Sequence, residues 1–301
     1  LKNSQLKYSC KVQFSAMRVL LAFIVPTLCI AVKNKTWTVL TFGDSWGAVG
    51  PTWKVIRDVF EKNGVAVDVR SAAIGGTTAC EWAIDYGSLA QAAKLRFPFH
   101  PDGPDFVWYT LGGNDMIFDQ KFGNCTARAK SIEEAESCTR EADARIENCT
   151  STLLENYWNA FPKSKVMECN YDVPCESNAC RGLDDGFLGA YCRGNITCYN
   201  TMAVAWVSDY IGKLAQKFPQ PKYTAVHVEG TSQMAAGIPG ASVGVPALDR
   251  SGPCEQMLYC VHPIYGSAAA TAIGDAFWDL YFRKHVLSEE QHVISEDDVI
   301  V

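Results

Sequence analysis

Thr36-Trp37-Thr38-Val39-Leu40-Thr41-Phe42-Gly43-Asp44-Ser45 is the stretch on which the reading turns. From Thr36 to Phe42 it is β-branched, aromatic or leucine, the composition of a buried strand, and Gly43 ends the run. Working outward, residues 53–62 have helical spacing, with Trp53, Ile56, Val59 and Phe60 on one face and Asn63-Gly64 as the stop. Residues 65–70 alternate as a second strand, 79–97 read as helix with a break at Gly87, and 106–111 (FVWYTL) form a third strand. A long helix is expected over 131–161, with Ser131 and Glu134 as its capping box. Short strands at 165–169 and 223–228, helices at 202–218 and 265–284, and a long Gly/Pro loop at 229–260 complete the pattern. Strands that alternate with helices predict an α/β fold: a central parallel five-stranded sheet covered on both faces.

The 301 residues, 48% hydrophobic and 20% charged, suffice for one large α/β domain with a sizeable core. A net charge of -6 gives no electrostatic reason to expect a nucleic-acid partner. No CxxC pair occurs, so the cysteines do not read as a metal site.

The N-terminal part carries its own message. Arg18 precedes an apolar run from Val19 to Val32, broken by Pro26 and Thr27, the pattern of a secretory signal peptide. The run is short for a bilayer span, so no stable membrane span is expected after cleavage; an uncleaved membrane anchor is the competing reading. The signal pattern begins at Met17, and residues 1–16 read as lying ahead of the natural start. The expected division is a leader over 1–32, one domain over 33–287 with a cysteine-rich insertion at 171–200, and an acidic tail over 288–301. Of 13 cysteines, Cys10 and Cys29 fall in the leader, which leaves an odd number in the mature chain. That density fits a secreted, disulfide-bonded protein with one thiol free or paired between chains. Sequons at Asn34, Asn124, Asn148 and Asn195 are compatible with glycosylation.

In open parallel sheets ligands bind beyond the carboxyl ends of the strands. There this sequence places Gly43-Asp44-Ser45, Gly75-Gly76-Thr77 and Gly112-Gly113-Asn114-Asp115, while Val261-His262-Pro263 precedes the last helix. Thr41-Phe42-Gly43-Asp44-Ser45 resembles block I of the SGNH/GDSL hydrolases. Ile74-Gly75-Gly76-Thr77-Thr78 resembles block II, Leu111-Gly112-Gly113-Asn114-Asp115 block III, and Val261-His262-Pro263 block V. The blocks stand in the family's order. The resemblance implies a flavodoxin-like three-layer α/β/α sandwich that cleaves lipid, acyl or acetylated-carbohydrate esters. It implies Ser45 as nucleophile, His262 as general base, and an oxyanion hole of the Ser45 and Gly76 N–H groups and the Asn114 amide. Asp44 and Asp115 are expected to brace their loops. A serine hydroxyl needs a base to take its proton, imidazole titrates near neutrality, and the developing oxyanion needs N–H donors. This chemistry needs no metal or organic cofactor.

One family position differs. The Asp expected three residues before the histidine is Tyr259 here. A backbone carbonyl orienting His262, another carboxylate such as Asp249 or Glu255, or a catalytically weak protein are the readings left open. Cys254 and Cys260 flank the segment, and a bridge between them would hold it. Gly43-x-Ser45-x-Gly47 also fits the nucleophile elbow of α/β-hydrolases, but the serine here follows the first strand and Gly50-Pro51 delays the helix. The rival in another class is an inactive SGNH-fold binding protein for extracellular glycan or lipid. Trp46 reads equally as pocket lining or core; His227 reads as packed, and His100, His285 and His292 as surface residues.

Overall fold

The computed structural model describes residues 35–48, 52–85, 88–117, 120–169, 171–175, 192, 195–258 and 262–287. The expected leader with Asn34, most of the cysteine-rich insertion, Tyr259, Cys260, His292 and the acidic tail lie outside the described residues. No helix among the described residues is long and apolar enough to cross a membrane.

Five strands, β1 (Trp37–Gly43), β2 (Val67–Ser71), β3 (Phe106–Thr110), β4 (Lys165–Cys169) and β5 (Tyr223–Val226), form one parallel sheet in the order β2-β1-β3-β4-β5. This is the flavodoxin-like order, with its topological switch between β1 and β3. Both faces of the sheet are covered, as a parallel sheet requires. Successive side chains in a strand point to opposite faces. Leu40 and Phe42 of β1 and Val107 and Tyr109 of β3 accordingly enter one core, while Trp37, Val39, Phe106 and Trp108 enter the other. The first core is closed by α3 (Ala79–Ile84), α4 (Leu89–Arg96), α7 (Ile132–Ala160) and α8 (Ile196–Lys217); the second by α2 (Thr52–Lys62) and α10 (Ala268–Phe277).

Several differences from the expected elements lie at caps. The helix expected over 79–97 is two helices: Thr78 caps α3 in a reciprocal capping box with Glu81, and Ser88 caps α4. Ser131 caps α7, but the Glu134 carboxylate turns to the Lys130 N–H at 2.7 Å. Asn195 accepts the Cys198 N–H at 3.1 Å and starts α8 inside the expected insertion. Ser267 delays α10 to Ala268, and a π-helical turn at Trp278–Phe282 continues it. Between these elements lie α1 (Ser45–Ala48), α5 (Gly113–Ile117), α6 (Gln120–Arg128) and α9 (Thr231–Ala235), which the sequence reading did not place; all but α6 span only four or five residues.

Candidate active site

The turn after β1 is built to present Ser45. Gly43 has φ 134°, and a Cβ there would stand 1.8 Å from the Thr110 carbonyl oxygen, so only glycine fits. The Asp44 N–H donates to that same carbonyl at 2.9 Å, which ties β1 to the end of β3. The buried Asp44 carboxylate accepts the Trp46 N–H at 3.0 Å and the Tyr171 hydroxyl. Burial, offset in part by the Tyr171 and Trp46 bonds, pushes its pKa up to about 7. Ser45 then opens the short helix α1 at the carboxyl ends of β1 and β3, at the topological switch.

His262 arrives from the other end of the chain. It sits on a small antiparallel hairpin of β6 (Met257–Leu258) and β7 (His262–Pro263). Its Nε2 is 2.8 Å from Ser45 Oγ, and its Nδ1 faces the Leu258 carbonyl oxygen at 3.3 Å. Burial lowers its pKa from 6.5 despite the Leu258 bond. Neither carboxylate expected as a partner reaches it. Asp249 points into solvent and pairs with Arg250 at 3.7 Å, and Glu255 is exposed in the single turn Cys254–Gln256. The expected Cys254–Cys260 bridge is also corrected: Cys254 is bonded to Cys175, which pins the hairpin to the segment after β4.

The other blocks converge on the same end of the sheet. The Ser45 and Gly76 N–H groups donate to no other described group. Asn114, in α5, is 8% exposed and gives one amide N–H to the Thr77 carbonyl at 3.0 Å, which leaves its second N–H available. The Asp115 carboxylate accepts the N–H groups of Ala79, at 2.7 Å, and Cys80, and so clamps the start of α3. Burial holds its pKa at about 6.

Tyr171 and Asp172 are site residues the sequence reading missed, since they fall in the expected insertion. The Tyr171 hydroxyl accepts the Gly113 N–H at 3.1 Å and donates to Asp44. The Asp172 carboxylate accepts the Val173, Gly230 and Ser232 N–H groups, each at 2.7 Å. Their position just past a strand on the ligand-binding edge of the sheet was the available signal. Trp46 is 3% exposed and meets Tyr171 edge-on at 5.5 Å, so it packs as core beneath the serine. Two histidine expectations reverse. His227 is exposed beside Glu229 at 3.2 Å, whereas His285 is buried between Phe106 and Tyr281. His100 is exposed as expected. Cys169 is a free thiol, buried in β4 where no second chain can reach it. Asn124, Asn148 and Asn195 are all exposed.

No protein-family model matches this sequence, and no curated protein matches it. Among solved structures the chain is similar to a lipase from a goat rumen metagenome, at 15% identity over 80% of this chain and 96% of that one, with a TM-score of 0.49. It is similar to an extracellular lipase from Streptomyces rimosus, at 13% identity over 80% and 100% of the two chains, TM-score 0.43. It is also similar to a carbohydrate esterase family 3 protein from Talaromyces cellulolyticus, at 17% identity over 81% and 98%, TM-score 0.39.

Proposed function

We propose that this chain is a serine hydrolase of carboxylic esters, of the SGNH/GDSL type, which works through an acyl-enzyme on Ser45. The observation that carries the proposal is the 2.8 Å approach of His262 Nε2 to Ser45 Oγ across 217 residues of sequence. A proton on Nδ1, donated to the Leu258 carbonyl, leaves the Nε2 lone pair facing the hydroxyl. Nε2 takes the Ser45 proton as Oγ attacks the ester carbonyl carbon. The Ser45 and Gly76 N–H groups and the Asn114 amide receive the oxyanion. The tetrahedral adduct collapses, and the imidazolium gives its proton to the departing alcohol. Water then gives a proton to Nε2 and adds to the acyl carbon; collapse returns the proton to Oγ and releases the acid.

Export through the signal pattern at 1–32 belongs to the same proposal. It is supported by the disulfides Cys80–Cys149, Cys125–Cys138, Cys175–Cys254 and Cys192–Cys198, bonds that persist in oxidising compartments. Glycosylation at Asn124, Asn148 and Asn195 would follow from export.

The test is hydrolysis of p-nitrophenyl esters of graded acyl length and of acetylated glycans by purified protein, beside Ser45→Ala. A fluorophosphonate probe with its adduct mapped by mass spectrometry accompanies it. Turnover lost in Ser45→Ala, with the adduct on Ser45, supports the reading. Equal background rates and an unlabelled serine overturn it in favour of a non-catalytic binding protein.

A further inference from the structure

Tyr171 lies outside every motif that names the catalytic groups, yet its hydroxyl joins two of them. The Gly113 N–H, one residue before Asn114, donates to it at 3.1 Å. The hydroxyl in turn donates to Asp44, one residue before Ser45. The second Asp44 oxygen accepts the Trp46 N–H, one residue after Ser45, at 3.0 Å. Gly113 makes room for the phenol: a Cβ there would stand 2.7 Å from the ring and 2.9 Å from its oxygen.

The phenol is held from its own side as well. Next in sequence, Asp172 accepts N–H groups from Gly230 and Ser232, the Gly252 N–H donates to the Pro174 carbonyl at 2.8 Å, and Cys175 is bonded to Cys254. The five residues 171–175 thus form a strap anchored elsewhere in the fold, with the Tyr171 hydroxyl at one end.

We propose that Tyr171 is a positioning residue for ester hydrolysis, whose hydroxyl sets the separation between the turn presenting Ser45 and the helix presenting Asn114. The inference rests on the ester-hydrolase reading of Ser45 and His262. A phenylalanine keeps the ring against Trp46 but can neither accept from Gly113 nor donate to Asp44. Two buried polar groups then lose a partner, and the two loops lose their shared reference. Displacements of about 1 Å at a catalytic group can cost on the order of 100-fold in rate.

The experiment is a double-mutant cycle of Tyr171→Phe and Gly113→Ala on a p-nitrophenyl ester, with kcat, KM and Tm measured for each protein. Gly113→Ala reaches the same hydrogen bond from the other side, because its methyl group occupies the place of the phenol. For Tyr171→Phe the expected result is a kcat lowered roughly 10- to 100-fold with KM within about threefold of wild type. The double variant should be no more than about threefold slower than the slower single variant, because both break one chain of contacts. Wild-type kcat in Tyr171→Phe, or losses that multiply in the double variant, overturn the inference while leaving the ester-hydrolase reading intact. A wild-type protein that neither turns over an ester nor labels at Ser45 overturns both.

Discussion

The carbonyl oxygen of Leu258 stands 3.3 Å from Nδ1 of His262, within the hairpin that also aims Nε2 at Ser45. A neutral carbonyl on that side fixes which nitrogen carries the proton, as an ionised carboxylate would. In the proposed mechanism it would stabilise an imidazolium less than a carboxylate does. Of the readings that Tyr259 left open, this contact supports a backbone carbonyl as the group that orients His262.

That arrangement predicts the acid limb of the rate profile. His262 must be neutral to accept the Ser45 proton, and burial sets its pKa below 6.5. kcat/KM for a p-nitrophenyl ester should therefore be level near neutrality. It should fall about tenfold per pH unit only once the pH drops through a value under 6.5. A limb centred above 6.5 would mean that a carboxylate, not the Leu258 carbonyl, governs the imidazole.

Stability should run the other way with pH. Burial raises Asp44 to about 7, Asp115 and Asp172 to about 6, and Glu168 to about 8. Each lies above its unfolded value, near 3.8 for Asp and 4.5 for Glu, so the folded chain holds these protons more tightly. Their contribution is complete below about pH 4 and is lost as pH rises through 6 to 8. His262, lowered in the fold, acts in the opposite sense, but it stands against these four carboxyls and against His227, which its hydrogen bond to Glu229 raises. The expected outcome is a higher Tm at pH 5 than at pH 8.5 at matched ionic strength; a Tm that rises over that interval contradicts the burial of these carboxyls.

The legible parts of this molecule are those that local sequence carries. β1 and the turn at Ser45 could be read because a β-branched, aromatic run ending in glycine has one good structural use. His262 stood out only through the resemblance of Val261-His262-Pro263 to a family block, and the structure sets its Nε2 2.8 Å from Ser45 Oγ. The partner of its Nδ1 could not be read, because a carbonyl leaves no trace in the residue type at position 258. Tyr171 depends on the end of β4 passing close to the ends of β1 and β3, a tertiary fact with no periodic signature. Disulfide pairing is equally silent in sequence: Cys260 is the near neighbour of Cys254, but the bond runs to Cys175, 79 residues away.

The Cys175–Cys254 bond should matter to rate as well as to stability. It closes a separation of 79 residues, against 6 for Cys192–Cys198. Loop-closure entropy then favours it, at roughly 4 kcal/mol against roughly 2. It also anchors the hairpin that carries His262. Replacing both Cys175 and Cys254 with serine should lower Tm and reduce kcat by roughly tenfold or more. The Cys192→Ser, Cys198→Ser protein should lose less Tm and keep kcat near wild type. Equal effects of the two pairs on kcat would show that the bond does not position His262.

Asn114 offers the sharpest separation of binding from catalysis. Its amide is aimed by the bond to the Thr77 carbonyl at 3.0 Å, and Asp115 beside it holds the loop to α3 at 2.7 Å. The free N–H therefore occupies a fixed direction before substrate arrives. Removal of such a donor costs about 2.7–4 kcal/mol, or 100- to 1,000-fold in kcat, because the interaction forms only as charge reaches the oxygen. Asn114→Ala should show that loss with KM nearly unchanged. Asn114→Asp should be worse, since it replaces the donor with an acceptor and adds a carboxylate near Asp44 and Asp115. Thermal melts of both variants establish that each is folded. A raised KM with unaltered kcat in Asn114→Ala would assign the amide to ground-state binding, leaving the Ser45 and Gly76 N–H groups as the oxyanion donors.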